Sequence, residues 1–116
     1  MDRKKELKMQ FKQMKPEMGI MIVRAKSGNK YFLQGTQNLK GFINRTKFQL
    51  DSGGHPNREL QKCWQELGEK NFTIEVLEEL EYEKDESKTD YSEDLALLEM
   101  VWQEKLAEQG LEPYKK

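Results

Sequence analysis

The chain has 116 residues, 35% of them hydrophobic and 35% charged, with one cysteine and a formal net charge of −1. That length suits a single domain of roughly 100–150 residues. No apolar run nears the roughly 20 residues of a membrane span, and Cys63 has no partner, so a membrane-spanning chain, a disulfide-stapled secreted scaffold and a zinc finger are excluded.

Asp2 to Lys15 is expected to form a short amphipathic helix. Leu7, Phe11 and Met14 recur at helical spacing beside a stripe of Lys4, Lys8, Lys12 and Lys15. Pro16 ends it, because its ring excludes the preceding residue from helical geometry. No apolar stretch or small-residue cleavage site follows this basic start, so no secretory signal is expected, and the lone cysteine fits a reducing cytoplasm. Met18 to Arg24 is an apolar, β-branched run, Ser27 to Lys30 a turn, and Tyr31 to Leu33 a second strand, which together predict a β-hairpin.

After Gly35 the period changes from two to about 3.6. Leu39, Phe42, Ile43 and Leu50 share a helical face with Asn38 as N-cap, and Asp51 to Gly54 ends that helix. Pro56 reopens helical geometry near a first-turn position. Leu60, Cys63, Trp64 and Leu67 make the next apolar stripe, closed by Gly68. Phe72, Ile74 and Val76 alternate with Thr73 and Glu75 as a third strand. Glu78 to Lys88 is an acidic connector. A last helix opens near Asp90 with Glu93 as in a capping box, buries Leu95, Leu98, Trp102 and Leu106, and closes at Gly110.

The expected fold class is therefore α+β: a three-stranded, mainly antiparallel sheet flanked by helices, with an extra N-terminal helix. Residues 1–17 form that basic helix, 18–109 the domain and 110–116 a tail. Charge divides along the same axis. Residues 1–62 hold 14 Lys and Arg against 5 Asp and Glu, and residues 63–116 hold 6 against 16. Such asymmetry points either to nucleic acid on the basic half or to halves that neutralise each other by packing.

Gly19-Ile20-Met21, Phe32-Leu33-Gln34 and Thr36 to Lys40 resemble the opening of the GIY-YIG nuclease domain. The likeness runs on through His55, Leu60-Gln61, Trp64, Leu67 to Phe72, Ile74 to Glu78 and Glu99 to Trp102, and so covers roughly Gly19 to Leu106. The ordered string, more than any one tripeptide, carries it. The resemblance implies a site of two hairpin tyrosines, a first-helix arginine and a last-helix glutamate holding one divalent cation. Such chemistry needs a hard oxygen ligand, a proton acceptor near the phosphate and a fixed cation for developing charge.

This chain departs from that pattern. Met21 and Phe32 stand at the tyrosine positions, Phe42 at the arginine position and Gln34 at the strand glycine, with Gly35 following. Glu99 matches the metal-binding glutamate and His55 a histidine found in some members. Tyr31 would substitute for the lost hydroxyl only if a bulge turned it onto the site face. Arg45, one turn beyond Phe42, would reach back toward a phosphate. On periodicity alone Met21, Phe32 and Phe42 read as core. Glu99 reads equally as a solvated acid or a ligand for Mg or Mn, and His55 as a loop residue or a base. Cys63, Trp64 and Trp102 read as core.

The expected function is a binding module that has lost hydrolysis. It would contact DNA through Lys4, Lys8, Lys12, Lys40, Arg45 and Lys47, or a protein through the filled site, and no membrane. The alternative is a weak Mg- or Mn-dependent endonuclease using Glu99, with Tyr31, Arg45 and His55 as its catalytic groups.

Overall fold

A computed structural model of the chain describes residues 15–115. The expected basic helix, with Lys4, Lys8 and Lys12, lies outside the described residues. Strand β1 (Met18–Ala25) turns through Gly28, whose φ of 92° suits a residue without Cβ, into β2 (Lys30–Thr36). Helices α1 (Leu39–Ser52) and α2 (Arg58–Leu67) follow, then a one-turn 3₁₀ segment at Glu69–Asn71. Strand β3 (Phe72–Leu80), helix α3 (Ser92–Glu108) and a two-residue strand β4 (Glu112–Pro113) complete the chain.

The sheet order is β3-β1-β2-β4. β1 pairs antiparallel with both β2 and β3, and β4 runs parallel to β2. The sheet thus has four strands and is mixed, not three-stranded and mainly antiparallel as the sequence suggests. The extra strand escapes pattern reading because it is two residues long and one is Pro113. What anchors it is Tyr114, whose N–H donates to Tyr31 O at 2.8 Å and whose ring is buried.

Helices cover both faces, which explains why β1 is a continuous apolar run instead of an alternating one. Met21, Val23 and Ala25 of β1 join Leu39, Leu50, Leu60, Trp64, Phe72 and Tyr114 in the core under α1 and α2. Met18 and Ile20 meet Leu95 and Tyr91 under α3, and Ile22 meets Tyr31 and Leu106 there. β3 runs to Leu80, three residues into the stretch expected as connector, because a register shift between Ile20 and Met21 leaves Leu77 as an extra residue. Phe72 and Ile74 keep to the α1 side, Leu77 and Leu80 swing to the α3 side, and Val76 is left 43% exposed.

Two helix starts differ from expectation. α2 is capped by Asn57, whose Oδ1 accepts the Leu60 N–H at 3.1 Å, so Pro56 precedes the cap instead of entering the first turn. α3 begins at Ser92 without a side-chain cap, and Asp90 spends its Oδ1 on the Ser92 N–H at 3.0 Å.

Candidate functional site

A cleft of about 320 Å³ opens between β2, α1 and the loop leading into α2. β2 contributes Phe32 and Gln34, which share a face by strand alternation. α1 contributes Phe42, Arg45 and Gln49, which fall on one flank because they are three and four residues apart. The loop contributes His55, Pro56 and Asn57. Asn38 holds α1 at its start, its Oδ1 accepting the Gly41 N–H at 3.0 Å.

Gln61 fixes the loop. It is buried, its Nε2 donates to Leu50 O at 2.9 Å and its Oε1 accepts the His55 N–H at 2.9 Å, so one side chain ties the end of α1 to the base of the cleft. Sequence reading missed this role. The signal was there: a glutamine inside the Leu60–Trp64 stripe, where a buried polar group must have partners.

His55 is 7% exposed and packs its ring edge-on to Phe32, with centroids 5.0 Å apart. Its Nδ1 accepts the Asn57 N–H at 3.0 Å, which leaves the ring proton on Nε2. Burial pushes the imidazole below its ordinary value of 6.5. The unfolded imidazole takes a proton below about 6.5 while the folded one resists it, so its contribution to stability is full above that pH and lost as pH falls. The urea midpoint is expected to drop between pH 7.5 and 5.5, and His55→Gln to flatten that drop.

Glu99 stands at the edge of β2. The carbonyls of Asn29 and Tyr31 bond to Glu112 and Tyr114, so the backbone groups of alternate residues on β2 face that outer edge. Beyond the short β4, the Gly35 N–H on this edge donates to Glu99 Oε1. The fit is tight: a Cβ there would lie 3.0 Å from Glu99 Oε1 and 3.1 Å from Leu95 Cβ, so those side chains would have to give by a few tenths of an ångström. This close approach falls at Gly35, one position beyond the aligned Gln34. Gln34 Nε2 donates to Gly35 O at 2.9 Å, which links the strand end beside Glu99 to the cleft wall.

The other expected residues scatter. β2 pairs with β1 without a bulge, so Tyr31 lies on the α3 face, buried against Ile22 and Leu106. Burial holds its hydroxyl above the ordinary value. It is neither in the cleft nor disposed to act as a base. Met21 is fully buried beneath the cleft, and Phe32 and Phe42 pack half-buried against the same core. Lys40 and Lys47, two helical turns apart, share a flank about 140–160° around α1 from Arg45, and Lys47 pairs with Glu69 at 3.9 Å. Arg45 alone of the described basic candidates lines the cleft. Cys63 is a half-buried free thiol under Tyr114.

Among the described residues no group of three or more His, Cys, Asp or Glu gathers as a metal cluster, and no helix is long and apolar enough to cross a membrane. No family model and no curated protein matches the sequence. Among solved structures, the catalytic domain of the homing endonuclease I-TevI superposes with a TM-score of 0.64 at 22% identity, covering 85% of this chain and 99% of that one. A glutamate-to-alanine mutant of the same intron endonuclease domain gives 0.61 at 23% identity, covering 78% and 84%. The fold is GIY-YIG-like. In this GIY-YIG-like frame, Glu99 reaches the end of β2 from α3, and Phe32, Phe42, Arg45 and His55 meet across the face formed with α1.

Proposed function

We propose that this GIY-YIG-like domain is a nucleic-acid-binding module that does not hydrolyse its ligand. The observation that carries this reading is the fate of three positions. Met21, Phe32 and Phe42 are packed together on one apolar core, so the places implied for two hydroxyls and a cation hold no group able to move a proton or balance charge on a phosphate. Arg45 and His55 remain in the cleft and supply a fixed positive charge and a neutral donor. Contact with phosphates through Arg45 is largely indifferent to sequence. Lys4, Lys8 and Lys12 add to it in this reading, with Lys40 and Lys47 on the far flank of α1.

A second reading rests on Glu99. A magnesium ion is commonly held by one or two carboxylates together with water and substrate phosphates, and a single carboxylate oriented by the Gly35 N–H fits that donor set. Glu99 would then hold Mg or Mn for a weak DNA endonuclease. A protein partner on the filled face is the remaining outcome.

The test combines binding and cleavage. Duplex DNA is expected to bind at low salt and to lose about 10²-fold in affinity between about 50 and 200 mM salt if about four phosphates are neutralised. Arg45→Ala is expected to weaken binding about tenfold and to lower the salt slope by about 1. Supercoiled DNA is expected to stay intact with Mg²⁺ or Mn²⁺. Nicking by the native chain that disappears in Glu99→Gln, a variant that keeps an oxygen for Gly35, would establish the endonuclease instead.

A further inference from the structure

The cleft walls are poorly matched to a bare phosphate. Two half-buried aromatic rings, Phe32 and Phe42, present apolar surface, and Arg45 is its one charged wall residue. At about 320 Å³ the cleft lies at the lower end of the roughly 300–1,000 Å³ typical of small-ligand sites. Its polar groups are of the kind that read a flat heterocycle. His55 is more than nine-tenths buried with Nδ1 committed to Asn57. His55 lines the cleft with its ring proton on Nε2, and among the described residues the hydrogen bond its ring makes is the one Nδ1 accepts from Asn57. The Gln49 amide, half-buried on the same wall, offers both a donor and an acceptor.

We propose that this cleft takes one unpaired nucleotide, its base against Phe32 and Phe42 with His55 and Gln49 on its edge, and its phosphate on Arg45. The inference deepens the nucleic-acid-binding reading and rests on it. A base inside a duplex is stacked on both sides and does not enter an enclosed site, whereas an unpaired base offers its whole face to aromatic side chains. The substitutions that remove a cation and a hydroxyl therefore build a stacking surface in the same place. A neutral imidazole suits an uncharged base edge, and the exposed guanidinium suits the phosphate at the mouth.

The experiment uses the full isotope-labelled chain. It is titrated with a ten-nucleotide single-stranded DNA, with the same sequence as a duplex, and with adenosine monophosphate, while the ring signals of His55, Phe32 and Phe42 are followed by NMR. The single strand is expected to shift these signals and to bind about tenfold more tightly than the duplex. Phe42→Leu, which keeps apolar volume without the ring, and Gln49→Ala are each expected to weaken the single strand about five- to tenfold and the duplex less than twofold. Ring shifts with the mononucleotide but no binding of either DNA would assign the cleft to a free nucleotide and overturn the nucleic-acid reading alone. Equal binding of both DNAs, insensitive to Phe42→Leu, would overturn the cleft assignment and leave the binding module standing. Binding of DNA without any ring shift would overturn the cleft assignment alone, and no binding of any of the three would overturn both.

Discussion

Gly19→Ala is expected to cost about 3 kcal/mol or more, at or above the usual range for overpacking, enough to unfold a marginal domain of this size. Gly19 lies where β3 crowds β1 beside the register shift at Leu77. A Cβ there would stand 2.0 Å from the Glu78 carbonyl oxygen and 2.8 Å from Glu79 Cα. Both obstacles are backbone in the sheet, so no side chain can rotate away, and relief requires breaking the β1–β3 ladder. Urea denaturation followed by far-UV circular dichroism checks this. Gly54→Ala is the control: its nearest neighbour is Ser52 Oγ at 3.9 Å, and its midpoint is expected to stay close to native. Equal midpoints for the two variants would show that β3 does not press on Gly19 as described.

Tyr114→Ala is expected to cost about 3–5 kcal/mol, the scale for removing a large buried aromatic side chain. Tyr114 is 7% exposed, sits in the core under α1 and α2, and its carbonyl accepts Asn57 Nδ2 at 3.4 Å. Its hydroxyl, raised well above the ordinary value by burial and by the neighbouring Cys63, stays protonated at any pH of interest. Tyr114→Phe, which keeps the buried ring, is expected to stay within about 1 kcal/mol of native. Thermal denaturation of the three chains decides the matter. A Tyr114→Ala midpoint within a degree or two of native would mean that the last residues hang free and that β4 contributes nothing.

Most of the fold is legible in the sequence, and the reason is periodicity. The hairpin is flagged by an apolar run, a Ser-Gly-Asn turn and a second run. α1 is flagged by an apolar stripe between the Asn38 cap and a glycine stop, and α2 by an apolar stripe closed by Gly68, its Asn57 cap being found only in the structure. Local chemistry of that kind determines local structure. Three features escape it because each depends on residues distant in the chain. β4 exists because Tyr114 finds a hole beside Cys63 and Trp64, not because Glu112-Pro113 favours a strand. Leu77 becomes an extra residue because β1 and β3 are held to different faces at their two ends. Gln61 acts through Leu50 and His55, eleven and six residues away.

The candidate site divides in the same way. Strand and helix period reads Met21, Phe32 and Phe42 each as core, the family resemblance brings them to one place, and the structure packs them on one apolar cluster. The proximity of Arg45 to Phe42 follows from the helical turn. Strand alternation also places Tyr31 on the far face once the hairpin has no bulge. The convergence of His55, Asn57 and Tyr114 does not follow, since it joins a loop to the end of the chain through a tertiary contact.

The two borders of the sheet bear on how the protein behaves when crowded. A strand with one unpaired side is a template on which another copy can assemble, the first step toward insoluble aggregates. One border here is β4, too short to template and closed by a proline that lacks an N–H. Among the described residues the other is β3, which carries an irregular register at Leu77 and exposes Glu75, Glu78 and Glu79. Stacking a second copy along β3 would bring those carboxylates against their own kind. Part of the negative charge gathered in the C-terminal half thus opposes strand-to-strand stacking of copies along β3.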